Sequence, residues 1–118
     1  MAQLDLESAA RLRTKMLIDK NPGLEIDQSV QEEEGWALLT LSEDGVLVGF
    51  EFLETEDSWT RPDALLQYFE AANDGFYVAV IVPSQMLEDI TELILGMGEE
   101  PIIIFTYEDL AIEDKIML

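Results

Sequence analysis

Val46-Leu47-Val48-Gly49-Phe50-Glu51-Phe52-Leu53-Glu54 reads as a strand that is apolar on both faces, with one carboxylate, Glu51, set into its middle. A strand without a wet face belongs at the centre of a sheet with layers packed on both sides. Just upstream, Trp36 to Leu41 is a second apolar run, joined to the first by Ser42-Glu43-Asp44-Gly45. Asp-Gly supplies the positive φ values that a tight turn needs, so the two strands are expected to form a hairpin.

Working outward, Thr55-Glu56-Asp57-Ser58 is a polar loop, and residues 61–72 have the pattern of a helix. Thr60 stands at its N-cap position with Asp63 three residues on, Pro62 suits the first turn, and Asn73-Asp74-Gly75 ends it. Phe76 to Val82 is a continuous apolar strand. Ser84 is expected to cap a helix whose buried stripe is Leu87, Ile90, Ile94 and Met97, and Pro101 to Phe105 forms the last strand. The tail from Glu108 has room for one helical turn. Toward the N-terminus, residues 4–19 place Leu6, Ala9, Ala10, Met16 and Leu17 on one helical stripe, stopped by Asn21-Pro22-Gly23. Leu24, Ile26, Gln28 and Val30 then alternate with Glu25, Asp27 and Ser29, the pattern of an edge strand with one wet face. The expected order is α-β-β-β-α-β-α-β: one α/β (α+β) domain over residues 1–118, with a mixed sheet and helices on both faces.

Composition narrows the function. The chain has 118 residues, no Cys and no His. Disulfides, thiolate chemistry, Cys-based metal sites and an imidazole base are therefore excluded, and any metal would be a hard, oxygen-bound ion. Neither a signal core nor an apolar run of the roughly 20 residues a membrane helix needs is present, so a cytoplasmic, non-membrane protein is expected. Net charge is −20, unevenly spread. Residues 1–20 carry Arg11, Arg13, Lys15 and Lys20 against Asp5, Glu7 and Asp19, a net of +1, while the other 98 hold the remaining 23 acids with only Arg61 and Lys115, a net of −21. Such a surface repels phosphate backbones, which argues against autonomous nucleic-acid binding and fits either a basic protein partner or plain solvation.

The stretch from Gly45 to Leu53, followed after a polar break by Pro62-Asp63-Ala64-Leu65-Leu66-Gln67-Tyr68-Phe69 and by Phe76 to Pro83, resembles the part of the restriction-endonuclease-like, or PD-(D/E)xK, nucleases that carries their metal-binding acid. The resemblance implies that Glu51 matches the acid of the (D/E)xK element, that Leu53 stands where the catalytic Lys should be, and that Ala37-Leu38-Leu39 replaces the expected Asp. Glu7 would match the helix acid of some members. Phosphodiester hydrolysis in that family needs a metal held by at least two acids and a Lys, so the resemblance implies a degenerate relative that does not cleave and needs no cofactor.

The plainer expectation for Glu51 is a side chain that points to solvent at a sheet end or accepts hydrogen bonds from a neighbouring loop. The clusters Glu32-Glu33-Glu34, Glu54 to Asp57, Glu99-Glu100 and Glu113-Asp114 lack calcium-loop spacing and read as solvated faces. Arg11, Arg13 and Lys15 read as balancing local charge. Trp36, Trp59 and Tyr68 are candidate interface anchors, with Trp36 assigned to the core. Together these readings predict a non-enzymatic acidic module that docks on a basic protein, using Trp59 and the apolar end Ile116-Met117-Leu118. Two alternatives stand beside it. One is a Mg²⁺- or Mn²⁺-dependent nuclease using Glu51 with Asp27, Asp44 or Glu54, and the other is a self-associating structural protein.

Overall fold

The computed structural model describes residues 5–55, 58, 63–97 and 102–110. Helix α1 (Leu6–Lys20) leads into three strands, β1 (Leu24–Gln31), β2 (Trp36–Glu43) and β3 (Val46–Leu53); α2 (Ala64–Asn73), β4 (Tyr77–Val82), α3 (Leu87–Met97) and β5 (Ile103–Thr106) follow. One mixed sheet runs β1-β2-β3-β4-β5, antiparallel across the first three strands and parallel across the last three. Asp44 (φ 53°) and Gly45 (φ 77°) make the two-residue hairpin turn between β2 and β3. Both central residues lie at positive φ, which matches the twist of the flanking strands.

The two crossovers, through α2 and α3, step the same way across the sheet. Right-handed connection then puts both helices on one face and leaves the other to α1. Alternation along the strands divides the core accordingly. Leu39, Leu41, Leu53 and Ile81 pack with Leu6, Ala9 and Ala10 of α1, whereas Phe52, Val78, Val80 and Val82 pack with Tyr68 and Ala72 of α2 and with Ile90 and Ile94 of α3. Asp5 caps α1, accepting hydrogen bonds from the Ser8 amide (3.4 Å) and hydroxyl (2.6 Å). Those bonds hold its carboxyl below the usual range.

Several boundaries differ from expectation. α2 begins at Ala64, with Asp63 in the N-cap position and making no side-chain cap bond; Thr60, Arg61 and Pro62 lie outside the described residues. Ser84 does not cap α3. It opens a 3₁₀ turn (Ser84–Met86), and its hydroxyl donates to Glu108 at 3.0 Å. Leu87, expected on the buried stripe, is the first residue of α3 and is exposed. Ile90 and Ile94 are buried as the stripe predicts, and the Met97 side chain is outside the described residues. No described helix is long and apolar enough to cross a membrane.

Candidate functional site

Glu51 is fully buried on the α1 face of the sheet. Its row runs Gln28, Leu39, Glu51, Ala79 across four strands, so no solvent or loop reaches it from the sheet edge. Its partners come instead from α1 and β4. Arg13 Nε donates to Oε1 at 2.7 Å and Arg13 Nη2 donates to Oε2 at 2.9 Å, a bidentate pair. The Tyr77 hydroxyl donates to Oε2 at 2.6 Å. The two-pronged geometry matches the fork of a guanidinium to both carboxylate oxygens, and charge-assisted bonds of this kind are the strong ones.

Each partner is held in place by its own element. Arg13 lies on the stripe that carries Leu6, Ala9, Ala10 and Leu17, so the packing of that stripe on the sheet also buries the guanidinium, whose Cζ lies 5.4 Å from the centroid of the Phe105 ring. Burial works against the Arg13 charge, but the bonds and charge of Glu51 outweigh it and hold the guanidinium above its ordinary pKa. Tyr77 stands opposite Gly49 in the β3–β4 register. A Cβ on Gly49 would lie 2.5 Å from the Tyr77 carbonyl oxygen, 2.6 Å from its Cβ and 2.9 Å from its Cδ2. The missing side chain at Gly49 is the space across which the Tyr77 ring extends to Glu51.

A second buried carboxylate follows at the end of β3. Glu54, expected in a solvated acidic cluster, is fully buried. Its Oε1 accepts from Ser58 Oγ at 2.7 Å, its Oε2 accepts from the Tyr68 hydroxyl, and Ser58 Oγ in turn accepts from the Thr55 amide at 2.7 Å. Its backbone is fixed too: the Glu54 amide donates to the Ile81 carbonyl at 2.8 Å, and the Tyr107 hydroxyl donates to the Glu54 carbonyl at 2.8 Å. Tyr68, weighed as an interface anchor, is thus a core residue of α2.

The two carboxylates are not brought together. Glu51 faces α1, whereas the side chain of Glu54 turns to Tyr68 on α2. Asp27, in register with Thr40 and so on the face opposite Glu51, is exposed on β1, and Asp44 is exposed in the hairpin turn. Glu7 is exposed and pairs with Arg11 one turn along at 3.0 Å. The α1 residue that reaches Glu51 is Arg13. Among the described residues no group of three or more acids is placed to hold a metal ion. Trp59, Ile116, Met117 and Leu118 lie outside the described residues, as do Glu99, Glu100, Glu113 and Asp114. Glu32, Glu33 and Glu34 are exposed.

Sequence reasoning missed Arg13, although a signal was present. A helix whose apolar stripe is interrupted by one Arg, in a chain whose central strand is interrupted by one Glu, has two faults that cancel if they meet.

Burial pushes the phenol of Tyr77 up in pKa, and its hydrogen bond to Glu51 adds to this, opposed by Arg13. Burial does the same for Tyr107, helped by the charge of Glu54. Tyrosine in an unfolded chain loses its proton near about pH 10. Below that pH both states keep the proton and these contributions to stability are complete; above it the unfolded chain releases protons that the folded chain retains, so stability falls as pH rises. The urea midpoint should therefore hold steady up to about pH 9.5 and then decline, with phenolate absorbance from these two residues appearing only as the chain unfolds. Phenolate absorbance from Tyr77 at its ordinary pH in the folded protein would contradict this.

No family model matches the chain, and neither does any curated protein or solved structure.

Proposed function

We propose that the chain is a non-enzymatic interaction module, a degenerate restriction-endonuclease-like domain whose acidic surface docks on a basic protein. The observation that carries this is the state of Glu51. At the position where the resemblance expects a metal ligand, both carboxylate oxygens are engaged by Arg13 and Tyr77. An internal cation at bonding distance supplies the positive charge that a metal would otherwise supply, and Leu53, where the catalytic Lys is expected, is buried in the apolar core. The acid is used for folding. What remains for partners is the surface, where Glu25, Asp27, the run Glu32 to Glu34, Glu70 and Asp74 are all exposed on a chain of net charge −20. A surface of that sign speeds and selects encounter with positive partners.

Capture from an extract of the native host, beside an unrelated protein of matched size and charge, tests this reading. A basic nucleic-acid-handling protein absent from the control is expected, with affinity falling about tenfold or more between 50 and 200 mM salt. Recovery of the same proteins by both baits, or cleavage of DNA or RNA with Mn²⁺ that is lost in Glu51→Gln, would overturn it.

A further inference from the structure

On the α2 face of the sheet, Trp36, Leu38, Phe50 and Phe76 are each left half-buried. With Phe52 and Ala71 they line an open groove of about 280 Å³. Its aromatic rings are continuous: Trp36 lies nearly parallel to Phe52 at 6.4 Å, Phe50 is 6.3 Å from Phe52, and Phe76 meets Phe50 edge-on at 5.8 Å. Trp36 is oriented by a bond from its indole Nε1 to Glu34 at 2.8 Å. The rim is acidic. Glu70 and Asp74, exposed and one turn apart at the end of α2, stand on one side.

This combination selects its occupant. Ring faces carry negative potential and attract a cation set over them. Two carboxylates four residues apart on a helix repel each other in the free chain, and among the described residues no Lys or Arg lines the groove. An apolar segment would cover the rings but leave the rim carboxylates facing it. A cationic side chain answers both.

We propose that this groove receives an arginine side chain of a basic protein partner, its guanidinium plane against the Trp36 and Phe50 rings and its N–H groups toward Glu70 and Asp74. Arginine suits the site better than lysine because a planar guanidinium stacks on a ring while its edge still donates to carboxylates. The inference rests on the docking reading above and names the surface and the chemistry that it uses.

The test is a titration of the ¹⁵N-labelled chain, followed by NMR, with a capped Gly-Arg-Gly-Arg-Gly peptide and with its citrulline analogue, which keeps the shape and removes the charge. Shifts are expected at the Trp36 indole N–H and at the amides of Phe50, Ala71 and Phe76, and they should largely disappear with citrulline. Phe50→Leu, which keeps an apolar side chain but removes the ring, and Glu70→Gln with Asp74→Asn, which are exposed and cannot disturb the core, should each weaken binding by about 3- to 30-fold. Glu88→Gln with Asp89→Asn, an equal change of charge on the exposed part of α3, should alter it by less than about twofold. Shifts confined to other residues, equal binding of the citrulline peptide, or no binding would overturn the groove. So would concentration-dependent shifts at the same residues without peptide, which would make a second copy of the chain the occupant. If a captured protein partner binds the groove variants as well as the natural chain, the groove assignment falls and the docking reading stands; if no salt-sensitive partner exists, the docking reading itself falls.

Discussion

Arg13→Met is expected to cost about 3–5 kcal/mol of folding stability, because it leaves the Glu51 carboxylate buried beneath α1 without its counter-charge. Tyr77 alone would remain bonded to it. Glu51→Leu should cost a similar amount for the mirror reason, a buried guanidinium left without its counter-charge beside the Phe105 ring and the Tyr77 hydroxyl. The double variant is the informative one. Replacing both members of a buried pair by apolar groups of similar volume is often neutral or stabilising, so Arg13→Met with Glu51→Leu should recover most of the loss. The remainder comes from the Tyr77 hydroxyl, which loses its acceptor, and adding Tyr77→Phe should remove that deficit. Urea unfolding of the singles, the double and the triple gives the coupling energy directly. Additive losses in the double, with no recovery, would show that Arg13 and Glu51 do not act as a coupled pair.

Gly49→Ala is the second large effect, and it acts on the same centre from a distance. The added methyl would sit 2.5 Å from the Tyr77 carbonyl oxygen and 2.6 Å from its Cβ. Neither is the yielding end of a flexible side chain, so β3 and β4 must separate at this register or the Tyr77 ring must leave. Overpacking of a close-packed core typically costs about 1–3 kcal/mol, and backbone obstruction brings the expectation to about 3 kcal/mol or more. The loss should be coupled to the Glu51 centre. A Tyr77→Ala background keeps the carbonyl oxygen and Cβ contacts and removes the Cδ2 contact at 2.9 Å, so there Gly49→Ala should cost less by the share that the ring carries. Equal cost in both backgrounds would mean that the glycine serves the strand pairing alone and not the reach of Tyr77.

The elements themselves were legible in the chain. Asp44-Gly45 between apolar runs marked the hairpin, the apolar faces of residues 46–53 marked the central strand, and the alternation of β1 marked an edge, since each is a local pattern with a local physical cause. Boundaries set by less local forces were not: α2 starts at Ala64 rather than near residue 61, and a 3₁₀ turn from Ser84 precedes α3, whose first residue, Leu87, is exposed. The acids were the hardest to read. Glu54 stands in a run of polar residues that looks solvated, and its burial draws on side chains distant in sequence, among them Tyr68 from α2 and Tyr107 from beyond β5.

What the sequence by itself determined is the set of elements, the hairpin and the net charge, because periodicity, turn chemistry and charge do not depend on which distant residues meet. What only the tertiary structure decided is the role of each buried carboxylate. Arg13 and Glu51 are 38 positions apart in the chain, and the cost of burying either charge depends on whether the other lies within bonding distance. That distance is set by the packing of α1 on the sheet and by the space left at Gly49.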